Sequence, residues 1–319
     1  MILMSAIIPT YSRGDLARRC IEALLRQTIG QVQVIVVDNA SPDELGRGLH
    51  QLFGPAIEVV RTSRNLFFCG AVNRGILQAR GKLVAVINDD CIVAPDWAEN
   101  AIQAFVEHPE LGSVASVVVQ DAARDRIDSA GDHLDVTGRA SNLRHNEVLQ
   151  QTSISETEVF SAAGSCAVYR RRTLMEIGGF DEDFVAYLDD IDVGFRLRLR
   201  GYPALLKPAC RACHVGGGTP KDSRYAAYLT ERNMVWNLLK NMPASLLAKY
   251  WAQIMFAQGK PAPIVGGPFS ASWLAGKAAA VHGGRKFLEK RKSIQAGARV
   301  SVASLESLFL SHRVVSCHL

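Results

Sequence analysis

The chain has 319 residues, enough for one large or two modest domains, and a composition of 48% hydrophobic and 21% charged residues excludes a disordered protein. Its net charge of +5 suits an anionic ligand or an anionic membrane surface, but gives no argument for nucleic-acid binding. The seven cysteines, with no secretory leader before them, predict reduced thiols in a cytoplasmic protein. No apolar window reaches the length of a membrane span.

Strands and helices alternate through the first part of the chain. Apolar stretches predict buried strands, and periodic stretches predict the helices between them. The strands are expected at 4–8, 32–37, 57–60, 83–87 and 114–119, and the helices after Asp15, at 70–79 and at 96–107. Asp15 is expected to cap its helix. This alternation predicts an α/β fold with a doubly wound, mostly parallel sheet flanked by helices.

The later part of the chain is less regular. Residues 120–158 are polar and predict an excursion over the active face, before a strand at 160–169. Two helical pieces are expected within 174–199, then a short strand at 202–206 and a flexible loop at Gly216-Gly-Gly218. From about residue 224 onwards, helices at 225–239 and 244–257 form a helical C-terminal extension.

Polar side chains follow four of the predicted strands. They are Pro9-Thr10-Tyr11, Asp38-Asn39 with Ser41, Arg64-Asn65, and Asn88-Asp89-Asp90. At one edge of a parallel sheet, these tips would form a polar crevice suited to a nucleotide. The adjacent carboxylates of Asp89 and Asp90 are costly unless a divalent cation neutralises them. The alternative for this segment alone is an ordinary turn, which Asn and Asp favour.

The C-terminal helices combine tryptophans with lysines and arginines. Trp236, Trp251 and Trp273 occur there, and a basic run at 285–292 follows. Basic helices with interfacial aromatic residues are typical of membrane-surface contact. A solvated basic face on a helix packed against the main domain is the alternative.

Several motifs occur in the order found in one family. They are Ile7-Ile-Pro-Thr-Tyr11, Val36-Val-Asp-Asn-Ala-Ser41, Asn65-Leu-Phe-Phe-Cys-Gly-Ala-Val-Asn-Arg-Gly75, Asn88-Asp-Asp90, Gly178-Gly-Phe-Asp-Glu182 and Tyr187-Leu-Asp-Asp-Ile-Asp192. Over roughly residues 4–240 the sequence resembles the family-two, inverting glycosyltransferases with the GT-A fold, in particular their rhamnosyltransferase-like branch. The resemblance implies a catalytic domain at 1–222, with a nucleotide-sugar-binding half at 1–119 and an acceptor half at 120–222, followed by a helical region at 223–319.

The resemblance also implies residues that bind the donor sugar nucleotide. Asp38 would read the base, whose pocket Pro9, Thr10 and Tyr11 would line, and Asn65, Gly70, Arg74 and Asp89 would lie near the diphosphate or the sugar. Asp90 would hold Mg²⁺ or Mn²⁺ on the diphosphate, because a metal stabilises the charge that grows on this leaving group. His214 would complete the metal site. Asn88 departs from the pattern, since many relatives have Asp there.

Asp189 and Asp190 match the acidic pair whose second member acts as the catalytic base. Inverting transfer needs one carboxylate to take the proton of the acceptor hydroxyl, and a neighbouring acid raises its pKa towards neutrality. Taken without the motif, the pair would be interpreted as a helix N-cap.

Other functions compete with this interpretation. The Cys210-Arg-Ala-Cys-His214 pattern resembles a c-type haem attachment, but we expect no haem because export is required and no leader is present. The same residues lack an obvious fourth zinc ligand. A non-catalytic sugar- or nucleotide-binding relative is another alternative. Such a protein would have no need of all four of Asp38, Asp90, Asp190 and His214. The Gln-x-x-Arg-Trp signature of processive synthases is absent, which favours transfer of single sugars over polymerisation. The resemblance implies a dTDP- or UDP-linked donor, with a rhamnose-like sugar favoured, and a glycan or lipid-linked glycan as acceptor.

Overall fold

The computed structural model describes residues 2–121, 125–215, 224–260 and 271–310. Their strands are β1 Met4–Thr10, β2 Val32–Asp38, β3 Glu58–Arg61, β4 Leu83–Ile87, β5 Cys91–Val93, β6 Ser113–Gln120, β7 Ile127–Ser129, β8 Asp132–Leu134, β9 Ala140–Asn142, β10 Thr157–Val159, β11 Cys166–Arg170 and β12 Ala204–His214. Their α-helices are α1 Gly14–Leu25, α2 Leu45–Phe53, α3 Phe67–Gln78, α4 Trp97–Glu107, α5 Arg171–Glu176, α6 Asp189–Leu199, α7 Arg224–Asn241, α8 Ala244–Lys249, α9 Trp251–Gln258, α10 Ala271–Ala296 and α11 Val302–Leu310. The predicted glycine loop at 216–218 lies outside these residues.

The main sheet has the strand order β10-β12-β6-β11-β4-β1-β2-β3. Strands β3, β2, β1 and β4 are parallel, as predicted. Strand β11 runs antiparallel to both β4 and β6, and β12 runs parallel to β6. The carboxyl ends of β1, β2, β4, β6 and β12 therefore point in the same direction, and this shared edge positions the site.

Both faces of the sheet are covered, as a doubly wound fold requires. Ala6 and Ile8 of β1 pack in a buried cluster with residues of α1 and α4. Ile7 points the other way, into a cluster that includes α3 and Phe287 of α10. Helix α3 comes close to the sheet because Gly75 has no side chain: a Cβ there would lie 2.3 Å from Cγ2 of Ile7.

Three local predictions before residue 222 were wrong. Asp15 lies exposed in the first turn of α1, whose N-cap is Arg13, and no side chain caps the helix. The strand expected at 160–169 begins only at Cys166: Ser161 makes an isolated bridge to Asp132, and residues 163–165 line the cleft described below. Strand β12 continues to His214, well past the predicted end, through an irregular stretch between Leu206 and Arg211 that broke its apolar pattern.

The helical C-terminal region packs onto the domain. The ring of Trp236 in α7 stacks on Phe287 of α10, with ring centroids 4.1 Å apart. The predicted helix at 244–257 is instead two helices, which meet at Tyr250. Among the described residues, no helix combines the length and the apolar character needed to span a bilayer. The division of the chain after residue 222 stays a prediction.

Much of the basic run in α10 has internal partners. Lys290 binds both Asp181 and Asp183, and Lys286 binds Asp183. Arg291 donates to the main-chain carbonyls of Leu239 and Met242. Lys286 and Lys290 therefore fasten α10 to the acidic loop at 181–183, and Arg291 fastens it to the end of α7, so these three side chains do not form the free basic face that the sequence suggested.

Candidate active site

A cleft of about 600 Å³ opens at the carboxyl edge of the sheet. This volume is in the range of sites that bind small molecules. Six of the residues predicted for the site line it, namely Pro9, Asp89, Asp90, Asp189, Asp190 and His214. The fold therefore brings together side chains from β1, the β4 tip, the start of α6 and the end of β12.

The two acids after β4 are buried and share one basic partner. Arg13 donates from Nη1 to Asp89 at 2.9 Å and from Nη2 to Oδ2 of Asp90 at 3.0 Å. The hydroxyl of Thr10 also donates to Asp89, at 2.8 Å. Burial raises the pKa of Asp89 to about 6, although Arg13 and Thr10 oppose this shift. The segment is also a turn, in which the N–H of Cys91 donates to the carbonyl of Asn88 at 3.0 Å, so the two acids form a charged cluster on the turn that was the alternative.

His214 lies between two carboxylates. Its Nε2 is 3.2 Å from Oδ1 of Asp90, and its Nδ1 is 2.8 Å from Oδ2 of Asp128. Burial alone would lower the pKa of His214, but the two carboxylates outweigh it and raise the pKa to about 9. For Asp90, burial is likewise outweighed by His214 and Arg13, and its pKa is lowered.

Asp90 and His214 fit a divalent cation in their chemistry and spacing. Oδ1 of Asp90 is buried and accepts no hydrogen bond from the described residues. Two neighbouring ligands of an octahedral Mg²⁺, each about 2.1 Å from the ion, lie about 3 Å apart, close to the observed 3.2 Å. No group of three or more His, Cys, Asp or Glu side chains in the described ranges forms a metal site. Further ligands would have to come from phosphates and water, as is usual for Mg²⁺.

The acidic pair begins helix α6. Asp190 accepts hydrogen bonds from the main-chain N–H groups of Gly164 and Ile191, both at 2.8 Å. Burial raises the pKa of Asp190 despite these bonds, and burial followed by the charge of Asp190 raises that of Asp189. Leu188 is the N-cap residue, with no side-chain capping bond, so neither acid caps the helix as the alternative interpretation required.

The backbone before the pair is strained. Val185, Tyr187 and Leu188 have φ of 70°, 66° and 56°, a region that costs a residue other than glycine about 1–3 kcal/mol. Helix α7 holds this segment: Nδ2 of Asn233 donates to the carbonyls of Phe184, Ala186 and Tyr187 at 2.7–3.0 Å. The acids are therefore presented by a strained segment that α7 clamps.

The other residues predicted to bind the donor do not line this cleft. Asp38 is fully buried and binds Arg61 and the N–H groups of Ser41 and Gly46, which lower its pKa despite burial. Asn65 accepts from the side chain of Asn39 at 2.9 Å.

Tyr11 is 46% exposed at the end of β1, and Arg74 is exposed on α3. Gly70 is buried on the same helix, where a Cβ would lie 2.8 Å from Cβ of Leu66. None of these residues lines the cleft itself. Their roles stay predictions.

Three charged residues of the cleft were missed by the sequence analysis: Arg13, Asp128 and Asp132. Arg13 directly precedes α1 at the functional edge, so its position was a usable signal. Asp128 and Asp132 lie in the polar stretch 120–158, which has no periodicity to assign them to a face. Asp132 is buried and accepts a hydrogen bond from Ser161 at 2.8 Å; burial, and then the charge of Asp190, raises its pKa.

Several known proteins are similar to this chain in sequence. The chain is 27% identical over 234 residues to the N-acetylglucosaminyl-diphospho-decaprenol L-rhamnosyltransferase of Mycobacterium tuberculosis, covering 66% of this chain and 76% of that one. It is 27% identical to the O-antigen biosynthesis protein RfbC of Myxococcus xanthus, and 28% identical to the uncharacterized protein y4gI of Sinorhizobium fredii. Each match covers 66% of this chain, but only 17% of RfbC and 24% of y4gI.

Two solved structures share the fold. GalNAc-T7, crystallised with UDP, GalNAc and Mn²⁺, superposes with a TM-score of 0.63 at 15% identity, covering 92% of this chain and 57% of the other. The mannosyltransferase PcManGT of Pyrobaculum calidifontis, in complex with GDP-Man and Mn²⁺, gives 0.53 at 18% identity, covering 97% and 79%. The predicted fold class is confirmed. The family model described as Glycosyl transferase family 2 matches residues 5–178, more than half of the chain, and the chain therefore belongs to glycosyl transferase family 2.

Proposed function

We propose that this protein is a metal-dependent, inverting glycosyltransferase that moves one sugar from a nucleoside-diphosphate sugar to a hydroxyl of a glycan or lipid-linked glycan. One observation carries the proposal: Asp90, His214 and Asp190, which are distant in sequence, line one cleft at the carboxyl edge of the sheet. A rhamnose-like donor linked to dTDP or UDP is favoured, because a relative of similar length is named a rhamnosyltransferase.

In the proposed reaction, the acceptor oxygen bonds to the anomeric carbon while the bond from that carbon to the diphosphate oxygen breaks. Asp190 takes the hydroxyl proton, and its burial supports this role because a raised pKa makes a carboxylate a better base near neutral pH. The Gly164 and Ile191 N–H groups fix the orientation of the carboxylate. Asp189 is buried beside it, and burial followed by the charge of Asp190 raises the pKa of Asp189, so the neutral form of Asp189 is favoured next to a charged Asp190.

Asp90 and His214 would form the side of the cleft that binds the leaving diphosphate. These two residues would hold Mg²⁺ or Mn²⁺, and the cation would neutralise the charge on the departing diphosphate. Arg13 offers a planar, permanently charged fork at the same place, which suits phosphate oxygens. Arg13 binds Asp89 and Oδ2 of Asp90, whereas the proposed cation would bind Oδ1 of Asp90.

A panel of sugar nucleotides tests the proposal. Thermal unfolding should be measured with dTDP-rhamnose, UDP-hexoses and UDP-galactofuranose, each with and without Mn²⁺. We expect one donor to stabilise the fold only with the metal, by roughly 2.7 kcal/mol at about 100 times its Kd. That donor should then lose its sugar to an acceptor with inversion at the anomeric carbon. Metal-independent binding without turnover would instead support a non-catalytic sugar-binding relative.

A lipid-linked acceptor would require contact with a membrane, and we propose that α9 makes it. Trp251, Met255 and Phe256 are 65–68% exposed on this helix, and only Ile254 is buried. The sequence has no Asp or Glu between Glu231 and Glu289, which leaves this region basic and suited to an anionic bilayer on the cytoplasmic face.

Helix α9 is also fastened to the wall of the cleft. Gln258 donates to the carbonyl of Thr137, and Arg139 donates to the carbonyls of Ala257 and Lys260. Thr137 and Arg139 lie in the loop that joins β8 to β9, and β9 lines the cleft. A bilayer bound by α9 would therefore lie beside the acceptor side of the cleft.

Vesicle co-sedimentation checks this contact. We expect the wild type to bind vesicles rich in phosphatidylglycerol more strongly than phosphatidylcholine vesicles. Replacing Trp251, Met255 and Phe256 together by Ser should abolish binding with little effect on stability, since exposed positions tolerate substitution. The matched control replaces Leu77 and Val106, equally exposed on α3 and α4, by Ser. Equal loss in both variants, or no binding by the wild type, would contradict the contact.

A further inference from the structure

Asp128 has a contact that the proposed reaction does not by itself explain. Its Oδ2 lies 2.8 Å from Nδ1 of His214, across 86 positions in sequence. Asp128 is only 5% exposed, and it lines the cleft together with His214 and Asp90. A buried carboxylate in this position constrains a ring whose other nitrogen faces Asp90.

The strand arrangement places Asp128 there specifically. Strand β6 lies between β7 and β12, with Gln120 opposite His214. The ladder between β6 and β7 is irregular at this point: Ser129 pairs with Val118 and Ile127 with Val119, so Asp128 is the extra residue between two consecutive pairs. Such bulges re-aim a side chain and are frequent beside active sites. Here the bulge directs the carboxylate towards His214.

The two contacts of the His214 imidazole define its tautomer. Both ring nitrogens face a carboxylate, but only Nδ1 makes a hydrogen bond, to Asp128 at 2.8 Å, whereas Oδ1 of Asp90 accepts none from the described residues; this geometry places the proton of the neutral ring on Nδ1. When the ring is neutral, the lone pair is then on Nε2, which lies 3.2 Å from Oδ1 of Asp90. Histidine ligands of metals commonly donate their second N–H to a carboxylate, which fixes both the tautomer and the ring plane.

We propose that Asp128 is a positioning residue, which holds His214 as the Nδ1–H tautomer and so aims Nε2 at a cation shared with Asp90. The inference rests on the metal dependence proposed above. Asp128 does not contact the cation or the sugar; it acts only through His214. The polar stretch 120–158 therefore supplies part of the metal site as well as part of the acceptor side.

Direct Mn²⁺ binding tests the proposal. The Kd for Mn²⁺, measured by electron paramagnetic resonance with UDP or dTDP present, should rise by about 10–100-fold in Asp128→Leu, the usual cost of losing such a partner. Asp128→Asn keeps an acceptor oxygen and should show a smaller rise. The control is Asp125→Asn, an exposed acid three positions earlier, which should bind Mn²⁺ like the wild type. Unchanged affinity in Asp128→Leu would overturn the proposal.

A second readout needs no metal. In ¹⁵N NMR of the metal-free protein, above the pKa of the ring, His214 should carry its proton on Nδ1 in the wild type and shift it towards Nε2 in Asp128→Leu. If Asp128→Leu does not fold, Asp128→Asn replaces it in this measurement. A wild-type proton on Nε2 would also overturn the proposal. If the wild type binds no Mn²⁺ at all, the proposed metal dependence fails, whereas the NMR result still decides the role of Asp128.

Discussion

Asp190→Asn is expected to abolish sugar transfer while leaving donor binding intact. The amide keeps the shape of the carboxylate, and its oxygen can still accept the hydrogen bond from Gly164 or from Ile191. It cannot take a proton from the acceptor hydroxyl. General-base catalysis contributes about 10²–10⁴-fold, so kcat should fall by at least about 100-fold. Steady-state kinetics with the identified donor, and calorimetry for donor Kd, measure the two effects.

The control for this variant is Asp43→Asn, an exposed acid in the loop after β2 that should retain full activity. Asp189→Asn separates the roles of the pair, because the proposal gives the proton transfer to Asp190 alone. It should leave measurable turnover, with a much smaller loss of kcat than Asp190→Asn. A kcat of Asp190→Asn close to that of the wild type would remove Asp190 from the base role.

Asp90→Ala is expected to eliminate the metal-dependent part of donor binding. Asp90 supplies the buried Oδ1 that accepts no hydrogen bond from the described residues, and it has no replacement when truncated. Loss of a partner that only orients a metal ligand costs about 10–100-fold in affinity, so loss of the ligand itself should reach at least the upper end of that range. Calorimetric titration of the donor with and without Mn²⁺ gives the difference.

Stability is the necessary control for Asp90→Ala, because the substitution also removes a partner of Arg13 and of His214. Arg13 keeps its bond to Asp89, and His214 keeps its bond to Asp128, so the variant should fold. Donor affinity in the absence of metal should be almost unchanged. Donor binding that remains fully Mn²⁺-dependent in Asp90→Ala would show that the cation is held elsewhere.

The parallel half of the fold was predictable from sequence because its signals are local. The apolar run from Leu83 to Ile87 can only be a buried strand, and the polar Asn88-Asp89-Asp90 that follows must then lie at its carboxyl edge. This reasoning alone predicted that Asp89, Asp90 and Pro9 lie at the site. Asp189, Asp190 and His214 were assigned by resemblance, since no periodicity relates them to β4.

The parts that could not be predicted depend on contacts between distant segments. Asp128 reaches His214 only because a bulge in β7 turns its side chain, and a polar stretch without periodicity gives no register. Strand β12 was cut short in the prediction because Lys207 and Pro208 interrupt its apolar run. The basic run in α10 resembled a free surface, but Lys290 is satisfied by Asp181, more than 100 positions earlier in the sequence. The number of charged residues in a sequence does not predict which of them form ion pairs with each other.

The most direct test of the central claim is the position of Mn²⁺ in crystals soaked with the metal and the matching nucleoside diphosphate. Anomalous scattering locates the ion without reference to any mechanism. We predict a single strong peak in the cleft, coordinated by Asp90 and Nε2 of His214 and by the diphosphate, and no peak in Asp90→Ala. A peak away from Asp90, or a diphosphate bound outside the cleft that Asp190 shares, would contradict it.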